Sequence, residues 1–585
     1  MFTSPVYRYL HIQNPGPLNN MYINNKAKEQ YTYDAIVVGS GISGGWAAME
    51  LCKKGLRTLL LERGRDVKHI EDYPTANMNP WDFKFGLNNT LEDRIADPIQ
   101  SNGYNPADKH FYVSDFEHPY IQEQPFNWFR GYQVGGRSLT WGRQCYRLSD
   151  LDFEANARDG NGVDWPIRYN DIAKWYSYVE SFVGVSGRRE NLKQLPDGQF
   201  LTPMELNCIE KHLADSIKRD DKSRLLTIAR VANLTRGWQS RGPCLNRNLC
   251  SRGCPYGGYF SSNSSTIPAA FATGNLTIRP FSIVTELLYD ENNQRASGVR
   301  VMDANSNQII EFTSRIVFVN ASTIATAGIL LNSISNRFPN GFGNDSGQVG
   351  HNLMDHHSSA GAQGIHEKYG DQYYKGRRPC GFLIPRYRNL GADQAQGFLR
   401  GYNIQGRGER LEWGEKSQGI QGFGKNFKEQ ITSPGPWRVW MGGWGECLPY
   451  HDNKITLDPV KKDKWGLPQI KINFSFKENE KNMMKDIRES SGEMLERAGF
   501  KDVNTFNYDK PGGSTVHEMG TTRMGLDPKS SVLNRFNQMH AVKNVFITDG
   551  SCMTSSGCQS PSLTYMALTA RACDYAYEEL KRGNL

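Results

Sequence analysis

The sequence predicts an α/β protein of more than one domain, opening on a Rossmann-like dinucleotide-binding unit. Three observations predict it. A β-branched run, Tyr33 to Val38, leads into G-x-G-x-x-G at Gly39, Gly41 and Gly44, then an amphipathic helix to Lys54 and a second apolar strand, Thr58 to Leu61. The chain has 585 residues, too many for one simple core. Its 38% hydrophobic and 11% aromatic content suits a folded rather than a disordered chain.

Each part of the first unit has a mechanical reason. The glycines allow a tight turn and the close approach of a pyrophosphate. The helix N-terminus offers free N–H groups and positive potential. Gly55 suits the helix stop. Glu62, at the end of the second strand and about 20 residues after Gly41, is placed to accept hydrogen bonds from ribose hydroxyls. The motif alone does not separate NAD from FAD.

Bulk properties exclude several classes. A formal charge of +8, with no block of five or more like charges, argues against nucleic-acid binding. No apolar run reaches the ~18 residues of a membrane span. Residues 1–32 lack the basic and apolar regions of a signal peptide and are expected to be a surface-packed extension. Eleven cysteines, an odd number in a long chain, argue against a secreted disulfide scaffold and for folding in a reducing compartment.

Three of those cysteines, Cys244, Cys250 and Cys254, fall in GPCLNRNLCSRGCPYGG, residues 242–258. The spacing is C-x5-C-x3-C-P. Zinc sites usually pair cysteines twice over, and no second pair follows. A disulfide would leave one thiol over. Iron–sulfur clusters use short-spaced thiolates, and a Cys-Pro often closes the run. A structural thiol loop and a zinc site remain the alternatives.

Four later segments decide the cofactor: FRGYQVGGRSLTWGRQCYR (129–147), DWPIRYNDIAKWY (164–176), VGHNLMDHH (349–357), and the pair HEMGTTRMG (517–525) with VFITDGSCMTSSGCQSPSLTYMALTARA (545–572). Together, and in this order, they resemble the glucose–methanol–choline (GMC) flavin oxidoreductases from about residue 33 onward. The resemblance implies FAD, a GMC fold and oxidation of an alcohol carbon. It implies that Gly39, Gly41 and Gly44 hold the pyrophosphate, that Glu62 with Arg63 meets the adenosine ribose, and that the backbone at Val284 touches the adenine. It puts Gly135, Gly136 and Ser138 beneath the flavin and Asp549 near the ribityl chain. Thr140 stands where covalent sugar oxidases of the family carry a histidine, so non-covalent FAD is expected.

The resemblance also assigns the chemistry. His517 matches the family's catalytic base, and a base near neutrality eases hydride loss from a carbinol carbon. Ser560, with Gln559 beside it, falls where the family has a second His or Asn. Serine can hydrogen-bond a substrate hydroxyl but reaches less far. His351, His356 and His357 cluster without ligand-type spacing to carboxylates and are read as structural or near the flavin.

The cysteine loop is similar to that of bacterial FAD-dependent glucose and fructose dehydrogenase catalytic subunits, which implies a [3Fe–4S] cluster on Cys244, Cys250 and Cys254. The expected enzyme is a sugar dehydrogenase oxidising a secondary hydroxyl, the 3-hydroxyl of a glycoside first, with hydride passing to FAD N5 and electrons to a cytochrome. Glucose, gluconate or polyol oxidation at another carbon is the alternative, as is an oxygen-using oxidase. A non-catalytic flavoprotein is disfavoured by His517. The same resemblance implies a small subunit and a c-type cytochrome as partners, and export to the periplasm alongside the partner after folding in the cytoplasm.

The expected architecture is an FAD domain from 33–165, 235–355 and 515–585, a helical linker region over 166–234 followed by the cysteine loop of 236–260, and an α+β substrate domain with an antiparallel sheet over 356–514. RIVFVNASTIATAGILLNS (315–333) reads as strand, turn and helix, and 445–459 has alternating strand character. Residues 65–125, rich in Pro, Asn and Asp, are expected over the flavin or a partner.

Overall fold

The computed structural model describes residues 32–585 except 374–375, 392–396, 413–415 and 418. The expected N-terminal extension over 1–32 lies, but for residue 32, outside the described residues.

The opening unit forms as its pattern dictates. The strand Thr32–Val38 is buried along its apolar end, and the helix Ile42–Lys53 and strand Thr58–Leu61 follow. Thr32–Val38 pairs in parallel with Thr58–Leu61 on one side and with Ile309–Val319 on the other. The sheet runs Leu276–Arg279, Thr58–Leu61, Thr32–Val38, Ile309–Val319, Arg295–Asp303, Ser282–Asp290. Its parallel strands Thr58–Leu61 and Val545–Ile547 are buried at every residue, as continuous apolar runs require. One long strand does two jobs. The first half of Ile309–Val319 pairs antiparallel with Arg295–Asp303, and its last residues pair in parallel with Val545–Ile547. Phe318 and Phe546 stack across that last junction with centroids 5.0 Å apart.

Ile42–Lys53 packs against the C-terminal helix Ser562–Lys581, which packs in turn against Tyr169–Val183. The fully buried Trp46 meets Phe182 edge-on at 5.1 Å. Strand Ile309–Val319, a turn and helix Thr323–Asn332 appear where 315–333 placed them.

A second, antiparallel sheet orders Lys501–Asn507, Ala360–His366, Trp437–Gly445, Tyr402–Arg410, Phe382–Ile384 and Thr227–Ile228. Period-2 alternation gives it two faces. Ile404, Val439 and Met441 join the core beneath helix Glu478–Arg497. Gln405, Arg407, Trp440 and Trp444 face a cavity, with Arg407 directly opposite Trp440. Of the helices within 166–234, Tyr169–Val183 belongs with the nucleotide-binding part, whereas Cys208–Asp220 packs beside Glu478–Arg497. The strand foreseen in 445–459 is Lys454–Lys462, but it does not join the second sheet. It pairs with Pro468–Asn473, which pairs with Ile121–Gln122, and this small sheet lies against helix Thr323–Asn332.

Arg400 ties the two parts together. It is 4% exposed and donates to Asp159 at 2.6 Å, Glu446 at 2.7 Å and the side-chain Oδ1 of Asn156 at 2.8 Å. Removing one partner of a buried pair leaves the other charge unpaired. Arg400→Met is therefore expected to destabilise the protein by about 3–5 kcal/mol, read as a fall in the thermal midpoint. A change within about 0.5 kcal/mol would place Arg400 among ordinary surface residues.

Candidate active site

The first turn is built from close contacts. Gly39 has φ +91, and a Cβ there would lie 2.4 Å from the Asn320 carbonyl oxygen. A Cβ on Gly44 would lie 1.8 Å from the carbonyl oxygen of Gly39. Gly41 differs: nothing stands within 4 Å of its absent Cβ. It is also the N-cap of Ile42–Lys53, which has no side-chain cap, so the helix's first N–H groups are left for another acceptor.

That acceptor's space is a cavity of about 620 Å³. Gly39, Gly41, Glu62, Arg63, Gly136, Ser138, Val284 and Asp549 line it. Gly44 and Gly135 do not; they shape the turns behind it. Gly135 has φ +92, a Cβ there would strike the Asn263 side chain, and its N–H donates to Ser40 Oγ at 2.9 Å. Glu62 accepts from Ser40 Oγ at 2.5 Å and from the N–H groups of Ser40 and Gly64 at 3.1 and 3.0 Å. Burial pushes its carboxyl up, against the pull of those donors. Arg63 is held by Asp463 at 3.4 Å and by the rings of Tyr132 and Trp465. Asp549 accepts from Thr326 Oγ1 at 2.6 Å and Ser551 Oγ at 2.5 Å, and burial raises its carboxyl also.

This donor set fits FAD. An uncapped helix N-terminus and the open face of Gly41 suit a pyrophosphate, and Glu62 stands at the end of the second strand. Tyr112, His118 and Pro119, from the segment expected over the flavin, also line the cavity.

His517 and Ser560 line the same cavity. The main-chain N–H of His517 donates to Asp355 Oδ1 at 3.1 Å, and Asp355 also takes the Gly513 N–H at 2.8 Å and Thr515 Oγ1 at 2.5 Å. Asp355 thus pins the whole catalytic loop. Burial, reinforced by Glu518, pushes its carboxyl up to about 7. The next residue of that loop, Glu518, receives Arg137 through two bonds of 2.7 and 3.3 Å. Burial, then His356 and Arg137, holds the His517 imidazole well below its usual range, which keeps the ring neutral in the resting protein.

Sequence reasoning located His517 but missed what supports it. His356 Nδ1 lies 2.9 Å from His517 Nδ1, and Arg137 anchors the following residue. The signal for His356 was present in VGHNLMDHH, but spacing alone does not show that it meets a residue 161 positions away. Gln405, Trp440 and Trp444 also line the cavity, whereas Tyr402 faces the core, bonded to Asp486 at 2.5 Å.

The three cysteines lie outside this cavity's lining, though close behind it. The turn Cys250–Arg252 comes within 8 Å, Cα to Cα, of the turn Gly136–Leu139. All three thiols are half-buried and free of disulfides. Burial pushes Cys244 up to about 11 and raises Cys254. Among the described residues no group of three His, Cys, Asp or Glu side chains is placed to hold a single metal ion. Of the three clustered histidines, His351 stacks on His451, His356 meets His517, and His357 meets Met483.

Comparison with known proteins agrees with this geometry. GMC oxidoreductase family models match residues 33–358 and 449–569, and the chain belongs to that family. It is 26% identical over 560 residues to 2-methyl-1,2-propanediol dehydrogenase of Mycolicibacterium austroafricanum, covering 93% of this chain and 94% of the relative. It is 25% identical to the fructose dehydrogenase large subunit of Gluconobacter japonicus, covering 95% of this chain and all of that one. A formate oxidase variant of Aspergillus oryzae superposes with a TM-score of 0.60 over 95% of this chain, at 14% identity, a likeness of fold. The protein is an FAD-dependent oxidoreductase acting on CH–OH donors.

Two glycine substitutions separate turn from ligand contact. Gly44→Ala is expected to lower both the thermal midpoint and flavin content, because its Cβ cannot fit. Gly41→Ala is expected to leave the apoprotein's midpoint unchanged and to weaken FAD binding at least about tenfold, or ~1.4 kcal/mol, in a flavin titration. Undiminished affinity in Gly41→Ala would remove the pyrophosphate from this turn.

Proposed function

We propose that the protein is a sugar dehydrogenase that oxidises a secondary hydroxyl of a pyranose or glycoside, the 3-hydroxyl first, to a ketone. One observation carries this. His517 and Ser560 share a cavity with Gln405, Arg407, Trp440 and Trp444, a polar and aromatic wall suited to hydrogen-bond and stack on a sugar ring. Bound FAD supplies the acceptor for the hydride that leaves the carbinol carbon. His517 takes the hydroxyl proton, and Ser560 hydrogen-bonds the hydroxyl oxygen. The indoles and Gln405 orient the ring so that one C–H faces the flavin. A diol and a sugar in the relatives' names support the substrate class and leave glucose, gluconate or a polyol at another carbon as the alternative. The Thr140 position supports non-covalent FAD.

The proposal includes a [3Fe–4S] cluster on Cys244, Cys250 and Cys254, which would supply one-electron steps toward a c-type cytochrome. The donor set supports it. Three free thiols lie in one loop, with the Gly258 N–H on Cys254 Sγ at 3.3 Å, and that loop abuts the turn Gly136–Leu139 on the cavity wall. A relative that is itself a large subunit supports a small-subunit partner. Folding and cofactor loading in a reducing compartment, followed by export to the periplasm with that partner, completes the proposal.

Two measurements test it. His517→Ala is expected to slow sugar-driven flavin bleaching by about 10²–10⁴-fold; an unchanged rate would end the assignment of the base. Anaerobically purified protein is expected to contain iron and to show a three-iron EPR signal that sugar abolishes. Iron-free protein that forms peroxide in step with sugar oxidation would make it an oxidase.

A further inference from the structure

His356 is fully buried, with its ring at 89° to that of His517 and its Nδ1 2.9 Å from His517 Nδ1. Its Nε2 lies 2.8 Å from the carbonyl oxygen of Gly557. A carbonyl oxygen can only accept, so this nitrogen carries a proton. Burial disfavours the charged form of the ring, and a neutral imidazole has one N–H. Nδ1 of His356 is then a bare acceptor. The proton between the two Nδ1 atoms belongs to His517, which is also neutral and has no second proton to place.

We propose that His356 is a positioning residue that locks His517 in its Nδ1–H tautomer, so that Nε2 presents a lone pair to the sugar hydroxyl. The proposal rests on His517 being the base. In the step itself the substrate O–H bond breaks and an N–H bond forms at His517 Nε2. No proton moves on to His356, whose own N–H stays on the Gly557 carbonyl. The bond from His517 Nδ1–H becomes charge-assisted once His517 is an imidazolium, and so strengthens as the reaction proceeds.

The rest of the fold holds His356 in place. Gly557 has φ +60, and its N–H donates to Glu446 Oε1 at 3.2 Å, the same oxygen that receives Arg400 at 2.7 Å. The residue before His356 is Asp355, which holds the His517 main chain. One dipeptide therefore fixes both the backbone and the tautomer of the base.

The test uses His356→Leu, His356→Asn and His517→Ala holoenzymes, with flavin content as a control. His356→Leu removes the acceptor and is expected to slow anaerobic sugar-driven flavin reduction about 10²-fold. His356→Asn keeps an acceptor oxygen near the Nδ1 position and is expected to recover to within about tenfold of wild type. Nitrogen-15 spectra of ring-labelled histidine, assigned through His517→Ala, are expected to show His517 protonated at Nδ1 only in wild type and as a tautomer mixture in His356→Leu. A wild-type His517 protonated at Nε2 overturns the proposal, even if His356→Leu fails to fold. So does a His356→Leu rate equal to wild type. Wild-type flavin reduction in His517→Ala would instead remove the base itself, and that outcome is distinct from either.

Discussion

The contact on which the molecule depends is the one between the glycine turn and the strand end beside it. Gly39 can curl at φ +91 only without a side chain, because the Asn320 carbonyl fills that space. Asn320 in turn donates its N–H to the Val38 carbonyl at 2.8 Å, and its Oδ1 receives the N–H and hydroxyl of Thr548 at 3.1 and 2.9 Å. Three distant pieces of chain converge on one asparagine. Helix Thr323–Asn332 starts three residues after Asn320, and Asp549 directly follows Thr548. The cavity is the space left when they meet.

Charge organises the loop that carries the base. Arg137, His517 and Glu518 line the cavity with Asp355 behind them, and the two carboxylates are buried. Such groups are costly unless paired, and each here has a partner: Arg137 with Glu518, Asp355 with three donors of the 513–517 loop. The result is a base held neutral within a framework of satisfied ions. Arg400 does the same beneath it, joining the residues around 156–159 to Glu446 and, through Gly557, to the histidine pair. Stability of the interior and geometry of the site are one network.

Much of this was legible in the chain because the signals were local. Strand Thr32–Val38, the glycine spacing and Glu62 lie within about thirty residues. Helix Thr323–Asn332 follows its strand directly. His517 and Ser560 could be picked out only through the wider motif order, and the structure brings both to the cavity. What was not legible depends on pairs far apart in sequence. Nothing near Ile121 announces that it will pair with Lys471, and Lys454–Lys462 looks like any alternating strand until its neighbour is known. His356 reads as a spare histidine until the chain folds it onto His517. Tyr402 shares a strand with Gln405, but an odd separation puts it on the other face, so composition alone could not assign it.

The sheet that carries the nucleotide turn is completed by residues 545–547, long after its other strands. A ribosome adding roughly 5–20 residues per second needs on the order of ten to fifty seconds to travel from Val319 to Asp549. Throughout that interval residues 317–319 lack the strand that pairs with them on one side, and the helix Ile42–Lys53 lacks its C-terminal packing partner. Flavin capture must therefore wait until synthesis has nearly finished. An edge left open in that way is a template for pairing with another chain.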